Sequence, residues 1–309
     1  MKVLYDIADF ETDKPVILTQ GTFDGVHFGH RKILSHVVNE AKKIGGESVL
    51  LTFYPHPRLV LYPDDNELKL LTTIEEKVEL VEDLGIDYLV IIPFTQEFSR
   101  LRASEFVRDI LVEQLKVSKL IIGYDHRFGR NREGGMAEMI NFAEVYDFQL
   151  EEISAQDISE SIVSSTKIRT ALLGGEVHLA TEYLGAEYTI TGQVEEGMQR
   201  GTTIGYPTAN VRVNSSYKLI PKNGVYAVWV YIDEIKYAGM LNVGYNPTFE
   251  DKKWSIEVHI LDFAKNIYHK EISIAFVSRI RDEQKFENLD ALISQLREDE
   301  NEIRAVLEV

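Results

Sequence analysis

The sequence predicts two unlike halves: an α/β domain on a parallel sheet, then a mainly antiparallel β-barrel with a terminal helix. Three observations predict this. In the first half, short apolar runs alternate with segments of helical spacing, as in βαβ units. From Tyr188 onward, strand patterns are punctuated by Gly, Asn and Pro. The length, 309 residues, favours two domains at roughly 150 residues each.

Taken in order, Pro15 to Gln20 (PVILTQ) reads as a buried strand followed by a loop rich in Gly and His. From about His30 to Ile44, the positions Ile33, Leu34, Val37, Val38 and Ala41 keep helical spacing. Ser48 to Tyr54 is the next strand; Thr72 or Thr73 caps a helix running to Leu84, which Gly85 stops. The pattern repeats with Tyr88 to Ile92 as strand, Ser104 to Leu115 as helix and Leu120 to Ile122 as strand. Gly135 to Val145 and Gln149 to Ile153 complete it, and a short helix follows from Ser165 to Leu173. The stretch LGGEVHLATEYLGAEY reads as a helical connector, and the domain boundary is expected near residue 185. That gives domains 1–184 and 185–309. Barrel strands are expected at Tyr188 to Val194, Val225 to Tyr231, Tyr237 to Val243, Trp254 to Leu261 and Glu271 to Ile280. From about Leu289 to Leu307 the chain is an amphipathic helix with Leu292, Ile293, Leu296 and Ile303 on its apolar side.

Composition narrows the class. Hydrophobic residues make up 44% and charged residues 27%, a globular balance. No apolar run approaches the roughly 20 residues that span a bilayer, and MKVLYDIADF lacks a secretory pattern. The absence of cysteine excludes disulfides, thiolate metal sites and cysteine nucleophiles. A cytoplasmic protein is expected, with no membrane partner. Fifty acidic against 33 basic residues give a net charge of −17, which opposes broad binding to nucleic acid. It does not oppose a small anion held by a local cluster of donors.

Such a cluster is present in GTFDGVHFGH, Gly21 to His30, between the first strand and the first helix. Gly21, Gly25 and Gly29 let backbone approach a ligand, and the helix start offers unpaired N–H groups to a phosphate. His27 and His30, three apart, can both face one anion. A zinc pair and a plain loop are the competing readings; no third ligand is apparent from spacing. SSTKIR, Ser164 to Arg169, opens a helix with three hydroxyls and places Arg169 one turn later, either as simple caps or as a second phosphate clamp. TFYPHP (Thr52 to Pro57) and GYDHRFGRNREGG (Gly123 to Gly135) also follow strands directly, where ligands of parallel sheets bind.

The HFGH segment resembles the HxGH nucleotidyltransferase superfamily, whose fold is Rossmann-like. Its chemistry is adenylyl transfer: an anionic nucleophile attacks the α-phosphate of ATP and pyrophosphate leaves, so the protein positions reactants and neutralises charge. Together the four segments resemble the FMN adenylyltransferase module of the bacterial bifunctional riboflavin kinase/FAD synthetase. GTTIGYPTAN (Gly201 to Asn210), PKNGVYAV (Pro221 to Val228), LNVGYNPTF (Leu241 to Phe249) and IEVHILDF (Ile256 to Phe263) resemble its riboflavin kinase module, in order.

That resemblance implies an enzyme making FMN from riboflavin and ATP, then FAD from FMN and ATP, with ADP and pyrophosphate released. It implies that His27 and His30 are catalytic and that Gly21, Phe23, Asp24, Gly29, Ser164, Ser165, Thr166 and Arg169 bind ATP with them. Phe53, His56, Tyr124, Asp125 and Phe128 would bind flavin. In the kinase half, Gly201, Gly205, Pro207, Thr208 and Asn210 would hold ATP and Mg2+, the metal on Thr208 and Asn210. Glu257 would be the base for the riboflavin hydroxyl; it alternates against Ile256, Val258 and Ile260, and a solvent-facing strand carboxylate is the plain alternative. The chain departs from the family where His126 replaces an aromatic residue, Thr202 and Asn246 replace arginines, and GAEY (Gly185 to Tyr188) replaces GRPY. Those lost arginines motivate one rival, an adenylyltransferase whose barrel only binds flavin. A flavin carrier without chemistry is the other, and HFGH, SSTKIR and PTAN are awkward for it, since a carrier needs no triphosphate clamp.

Overall fold

A computed structural model describes residues 1–64, 68–123, 126–154, 163–197, 200–245 and 254–309. Contacts divide the chain into two compact units, Met1–Ser165 and Thr166–Val309.

The first unit is a sheet of six strands: β1 (Lys2–Leu4), β2 (Val16–Gln20), β3 (Glu47–Tyr54), β4 (Tyr88–Pro93), β5 (Val117–Gly123) and β6 (Gln149–Ile153). Their order is β1-β4-β3-β2-β5-β6, and every neighbouring pair is parallel. The chain therefore winds outward from β2 through β3 to β4, then restarts at β5 on the other side. The reversal opens a crevice beyond the carboxyl ends of β2 and β5, where sheets of this topology bind ligands.

Both faces of the sheet are covered, which is why β2 is apolar at consecutive positions. Ile17, Leu50, Leu89 and Ile91 pack under helix α1 (Phe28–Ile44), which buries Ile33, Leu34, Val37 and Val38 as its spacing requires. Leu34 is fully buried, and its truncation to alanine would cost about 2–5 kcal/mol. Gly45 ends the helix at φ 65, a left-handed cap that glycine adopts without strain. A short helix α2 (Pro57–Leu61) follows β3, and α3 (Ile74–Glu82) follows it with a reciprocal capping box between Thr73 and Glu76. Val16, Leu18, Val49, Leu51, Val90 and Leu120 face the other way, against Phe106, Val107, Leu111 and Met139. The helix expected from Ser104 to Leu115 is one α-turn, α4 (Ala103–Glu105), continuing into a wider helix, Phe106–Gln114, whose end bonds Leu115 N–H to the Ile110 carbonyl five residues back. Helix α5 (Met136–Tyr146) completes this face.

The second unit begins with α6 (Ser165–Gly174), whose first residue closes the first unit, and α7 (Val177–Leu184). Val177, Ala180 and Leu184 of α7 are buried, and the helix packs on the first and last barrel strands. The contact division thus falls after Ser165, while strand patterning starts at Tyr188. The barrel strands are β7 (Tyr188–Glu195), β8 (Ala209–Val213), β9 (Gly224–Ile232), β10 (Ile235–Gly244), β11 (Ser255–Ile260) and β12 (Glu271–Arg281). They close in the order β10-β11-β8-β7-β12-β9, all antiparallel, with β9 paired back to β10. A single turn of helix, α8 (Arg200–Thr203), precedes β8. The terminal helix α9 (Leu289–Leu307) is capped by Asn288 and buries Ile303 and Leu307. It is tied to β12 by Arg281, whose Nε and Nη2 each bond the buried Asp299 carboxylate at 2.7–3.1 Å.

Candidate functional site

The loop after β2 lies at the sheet's crevice and is backbone-strained. Phe23 (φ 43) and Val26 (φ 37) adopt left-handed conformations that side chains disfavour, with Gly25 (φ 85) between them. What holds them is Asp24. Its carboxylate, 4% exposed, accepts the Leu71 N–H at 3.0 Å, the Thr72 N–H at 3.2 Å and the Thr72 hydroxyl at 3.4 Å. Gly25 N–H donates to the same Thr72 oxygen, and Ser165 Oγ donates to the Asp24 carbonyl. The structure thus places Asp24 as the anchor of the loop, its carboxylate already occupied by protein donors.

His27 caps α1: its Nδ1 accepts the His30 N–H at 3.4 Å, so its ring proton is on Nε2. The rings of His27 and His30 stack, and Phe23 packs against His30 with centroids 4.7 Å apart. Burial pulls the His27 pKa down to about 4, against a smaller opposing pull from Asp24. Burial also holds His30 well below the usual histidine range, helped by repulsion from His27 and Lys77. Both imidazoles are neutral at pH 7. His30 Nδ1 is buried and, among the described residues, bonds nothing. No group of three His, Cys, Asp or Glu side chains placed to hold a metal occurs among the described residues.

Gly21 carries no Cβ where one would press on the Phe23 ring, and Gly29 is buried in the first turn of α1. Ser164 is half-buried at the end of the first unit; Thr166 and Arg169, one turn into α6, belong to the second, the former exposed and the latter half-buried.

Of the expected flavin contacts, Tyr124 and Asp125 lie outside the described residues. Phe53, at the end of β3, forms a triangle with Phe94 and Phe98, ring centroids 5.6–5.8 Å apart. The chain of rings continues through Phe106 to Phe128, each step 6.2 Å. Phe128 is 6% exposed, so its side chain is core to this row. Sequence reasoning missed Phe94, Phe98 and Phe106, although Phe94 and Phe98 follow a strand as the quoted loops do. His56 is spent locally: its Nδ1 caps α2 by accepting the Arg58 N–H. His126 stacks on Phe128 and lies 2.8 Å from the Gln20 amide nitrogen, joining the loop after β5 to the end of β2.

Lys77 was also missed. It sits on the apolar face of α3 with its Nζ 2.7 Å from the Thr22 carbonyl. Burial pulls its pKa down to about 8.

In the second unit, Thr208 immediately precedes β8, and β8 pairs with β11 so that Asn210 stands opposite Glu257. Thr208 Oγ1 donates to Glu257 Oε2 at 3.3 Å, and Ser255 Oγ donates to Oε1 at 2.8 Å. Ser255, Glu257 and His259 alternate with buried Ile256, Val258 and Ile260, the period-two pattern read from sequence. His259 bonds the Pro207 carbonyl at 2.7 Å and meets the Tyr206 ring edge-on, so it fixes the Pro207–Asn210 segment from β11. Tyr206 in turn donates to Glu300 on α9. A Cβ on Gly201 would collide with the Tyr206 carbonyl, and Gly205 has φ 84. A Cβ on Gly197, another residue not foreseen, would collide with the Asn210 amide nitrogen. Thr202 is exposed on α8, while Asn246 lies outside the described residues.

Comparison with known proteins matches each half of the chain to a different family model. Residues 9–167 match the FAD synthetase family model and residues 184–307 the riboflavin kinase model. A bifunctional riboflavin kinase/FMN adenylyltransferase of Listeria monocytogenes is 40% identical over 96% of this chain and 94% of its own. Proteins of that name from Bacillus subtilis and Escherichia coli K12 are each 37% identical, over 93% and 92% of this chain and 90% of theirs. A crystal structure named macrolide-efflux protein, from Streptococcus pneumoniae, covers 98% of each chain with TM-score 0.87 and 31% identity. Among the described residues of the present chain, no helix is long and apolar enough to cross a membrane.

Proposed function

The chain belongs to the bifunctional riboflavin kinase/FMN adenylyltransferase family, and from that premise we propose which residues carry each of its two reactions. The enzyme turns riboflavin and ATP into FMN and ADP, then FMN and ATP into FAD and pyrophosphate. We assign adenylyl transfer to residues 1–184 and phosphorylation to residues 185–309, both in the cytoplasm.

For the kinase the carrying observation is the Thr208–Glu257 bond. It gathers a carboxylate, a hydroxyl and, through the β8–β11 register, the Asn210 amide on one patch of barrel wall. Glu257 takes the proton of the riboflavin 5′-hydroxyl as that oxygen attacks the γ-phosphorus and the bond to ADP breaks. Thr208 and Asn210 are neutral oxygen donors, suited to Mg2+, which takes its remaining ligands from water and phosphate. Thr208 directs its proton to Glu257, which leaves its oxygen lone pairs for a cation. Bound there, Mg2+ would neutralise charge on the transferring phosphates. Gly201, Gly205 and Pro207 shape the backbone beside it.

For adenylyl transfer, the FMN phosphate attacks the α-phosphorus of ATP and the bond to the β-phosphate oxygen breaks. Neutral His27, with its Nε2–H, and His30 donate to the phosphates alongside the free N–H groups of the α1 start. Gly21, Phe23 and Gly29 bring backbone close, Asp24 holds the loop, and Ser164 and Ser165 add hydroxyls. We assign flavin binding to Phe53, His56 and Phe128 and, outside the described residues, to Tyr124 and Asp125.

The test is to incubate pure protein with riboflavin, ATP and Mg2+ and separate the flavins by chromatography. FMN appearing first and FAD after it is the expected course. FAD formed only from supplied FMN would remove the kinase assignment.

A further inference from the structure

Lys77 is a cation where cations are expensive to keep. The residue is 6% exposed, and among the described residues its Nζ hydrogen-bonds oxygens of threonines rather than a carboxylate. The nearest acidic influence is Asp24, whose oxygens are taken by Leu71 and Thr72. Nζ instead bonds the Thr22 carbonyl at 2.7 Å and reaches Thr52 Oγ1 at 3.5 Å. Thr52 Oγ1 points at that same carbonyl, also at 3.5 Å. One backbone oxygen is thus held by two side chains from two different elements, β3 and α3.

The consequence is fixed by peptide geometry. The Thr22–Phe23 bond is trans, so its C=O and N–H point in opposite directions. With the oxygen turned inward to Lys77, the Phe23 N–H is turned away from Lys77. It belongs to the strained stretch that leads into His27 and His30. A buried charge on the carbonyl also polarises the peptide, making that N–H a stronger donor.

We propose that Lys77 is a positioning residue for adenylyl transfer: it pins the Thr22 carbonyl so that the Phe23 N–H is presented to the triphosphate of ATP. This rests on the reading of Gly21 to His30 as the ATP loop. The cost of the buried ammonium is offset when the anion arrives, because the charge then has an opposite charge across the peptide.

The test compares Lys77→Met and Lys77→Arg in the full chain, with riboflavin phosphorylation as the control for overall integrity. Lys77→Met raises the KM for ATP in FMN adenylylation about tenfold to a hundredfold, the effect of losing one aimed donor to a charged group. Lys77→Arg keeps the charge and a donor for the carbonyl, so it loses less than Lys77→Met. The Phe23 amide proton, followed by NMR on adding a non-hydrolysable ATP analogue, shifts downfield in the parent and in Lys77→Arg but not in Lys77→Met. Amide exchange in β2 shows whether Lys77→Met still folds; if it does not, the Arg variant and the Phe23 shift decide. Parental KM in Lys77→Met overturns the proposal, as does a parental Phe23 shift in that variant or its absence in Lys77→Arg. His30→Ala separates the two ideas: full adenylylation in that variant removes the ATP loop itself, whereas its loss beside an unaffected Lys77→Met removes only the role of Lys77.

Discussion

The imidazole of His27 lies flat on that of His30, ring centroids 3.6 Å apart and planes within 14°. Two stacked, desolvated rings cannot both hold a proton at neutral pH without repelling each other, so both are neutral there.

The first prediction is therefore one of pH. His27 titrates at about 4 in the folded chain, below the ordinary 6.5, chiefly because it is buried. The unfolded chain takes up the proton first, so stability from this group is full above 6.5 and lost as pH falls through about 4. Adenylylation of FMN should show no histidine limb between pH 8 and 5.5. Histidine ring NMR with parallel rates would check it; a limb centred near 6.5 would show that His27 is solvated and charged.

Glu257→Gln should reduce FMN formation by about a hundredfold to ten-thousandfold, the range for a general base, and leave adenylylation of supplied FMN intact. His30→Ala should do the reverse and stop the pathway at FMN. Separate assays with riboflavin and with FMN distinguish these. Equal loss of both activities in the Glu257 variant would falsify its role.

Asp24→Ala strands the Leu71 and Thr72 N–H groups in a buried setting, at about 2–4 kcal/mol. The strained loop should relax, with adenylylation falling while phosphorylation persists. Faster hydrogen exchange at Leu71 and Thr72 is the direct readout, and unchanged exchange would show that the loop stands without its anchor.

Arg281→Met leaves the Asp299 carboxylate, 1% exposed, buried without its bidentate partner, which should destabilise the second unit by about 3–5 kcal/mol. The double variant Arg281→Met, Asp299→Leu should recover most of this. The chain's only two tryptophans, Trp229 and Trp254, both belong to that unit, so fluorescence-detected urea unfolding reports on it. No difference between single and double variants would show that the stranded Asp299 charge is not what costs stability.

What was legible in the sequence had a local physical cause. The helix of Ile33, Leu34, Val37 and Val38 and the alternation around Glu257 follow from periodicity, and both stand in the structure. Strand β8 is not legible as a strand, because Pro207, Asn210 and Arg212 break any apolar rhythm and its place is set by pairing with β7 and β11. Lys77 was invisible for the opposite reason. It shares a helix face with Ile74 and Val81, and a lysine there reads as a snorkelling side chain until the Thr22 carbonyl is seen beside it. The row from Phe53 to Phe128 joins residues dispersed over three strand ends, which no window of sequence brings together.

The closed order of the barrel bears on how the protein behaves when crowded with copies of itself. A barrel in which β9 pairs back to β10 offers no row of unpaired backbone groups to a neighbour. The parallel sheet has two such rows, and each is blunted. Strand β1 spans three residues, and β6 carries Glu151 and Glu152, the former paired with Lys119 and His36. Sticking edge to edge into fibrous aggregates is therefore opposed by closure in one half, and by brevity and negative charge in the other.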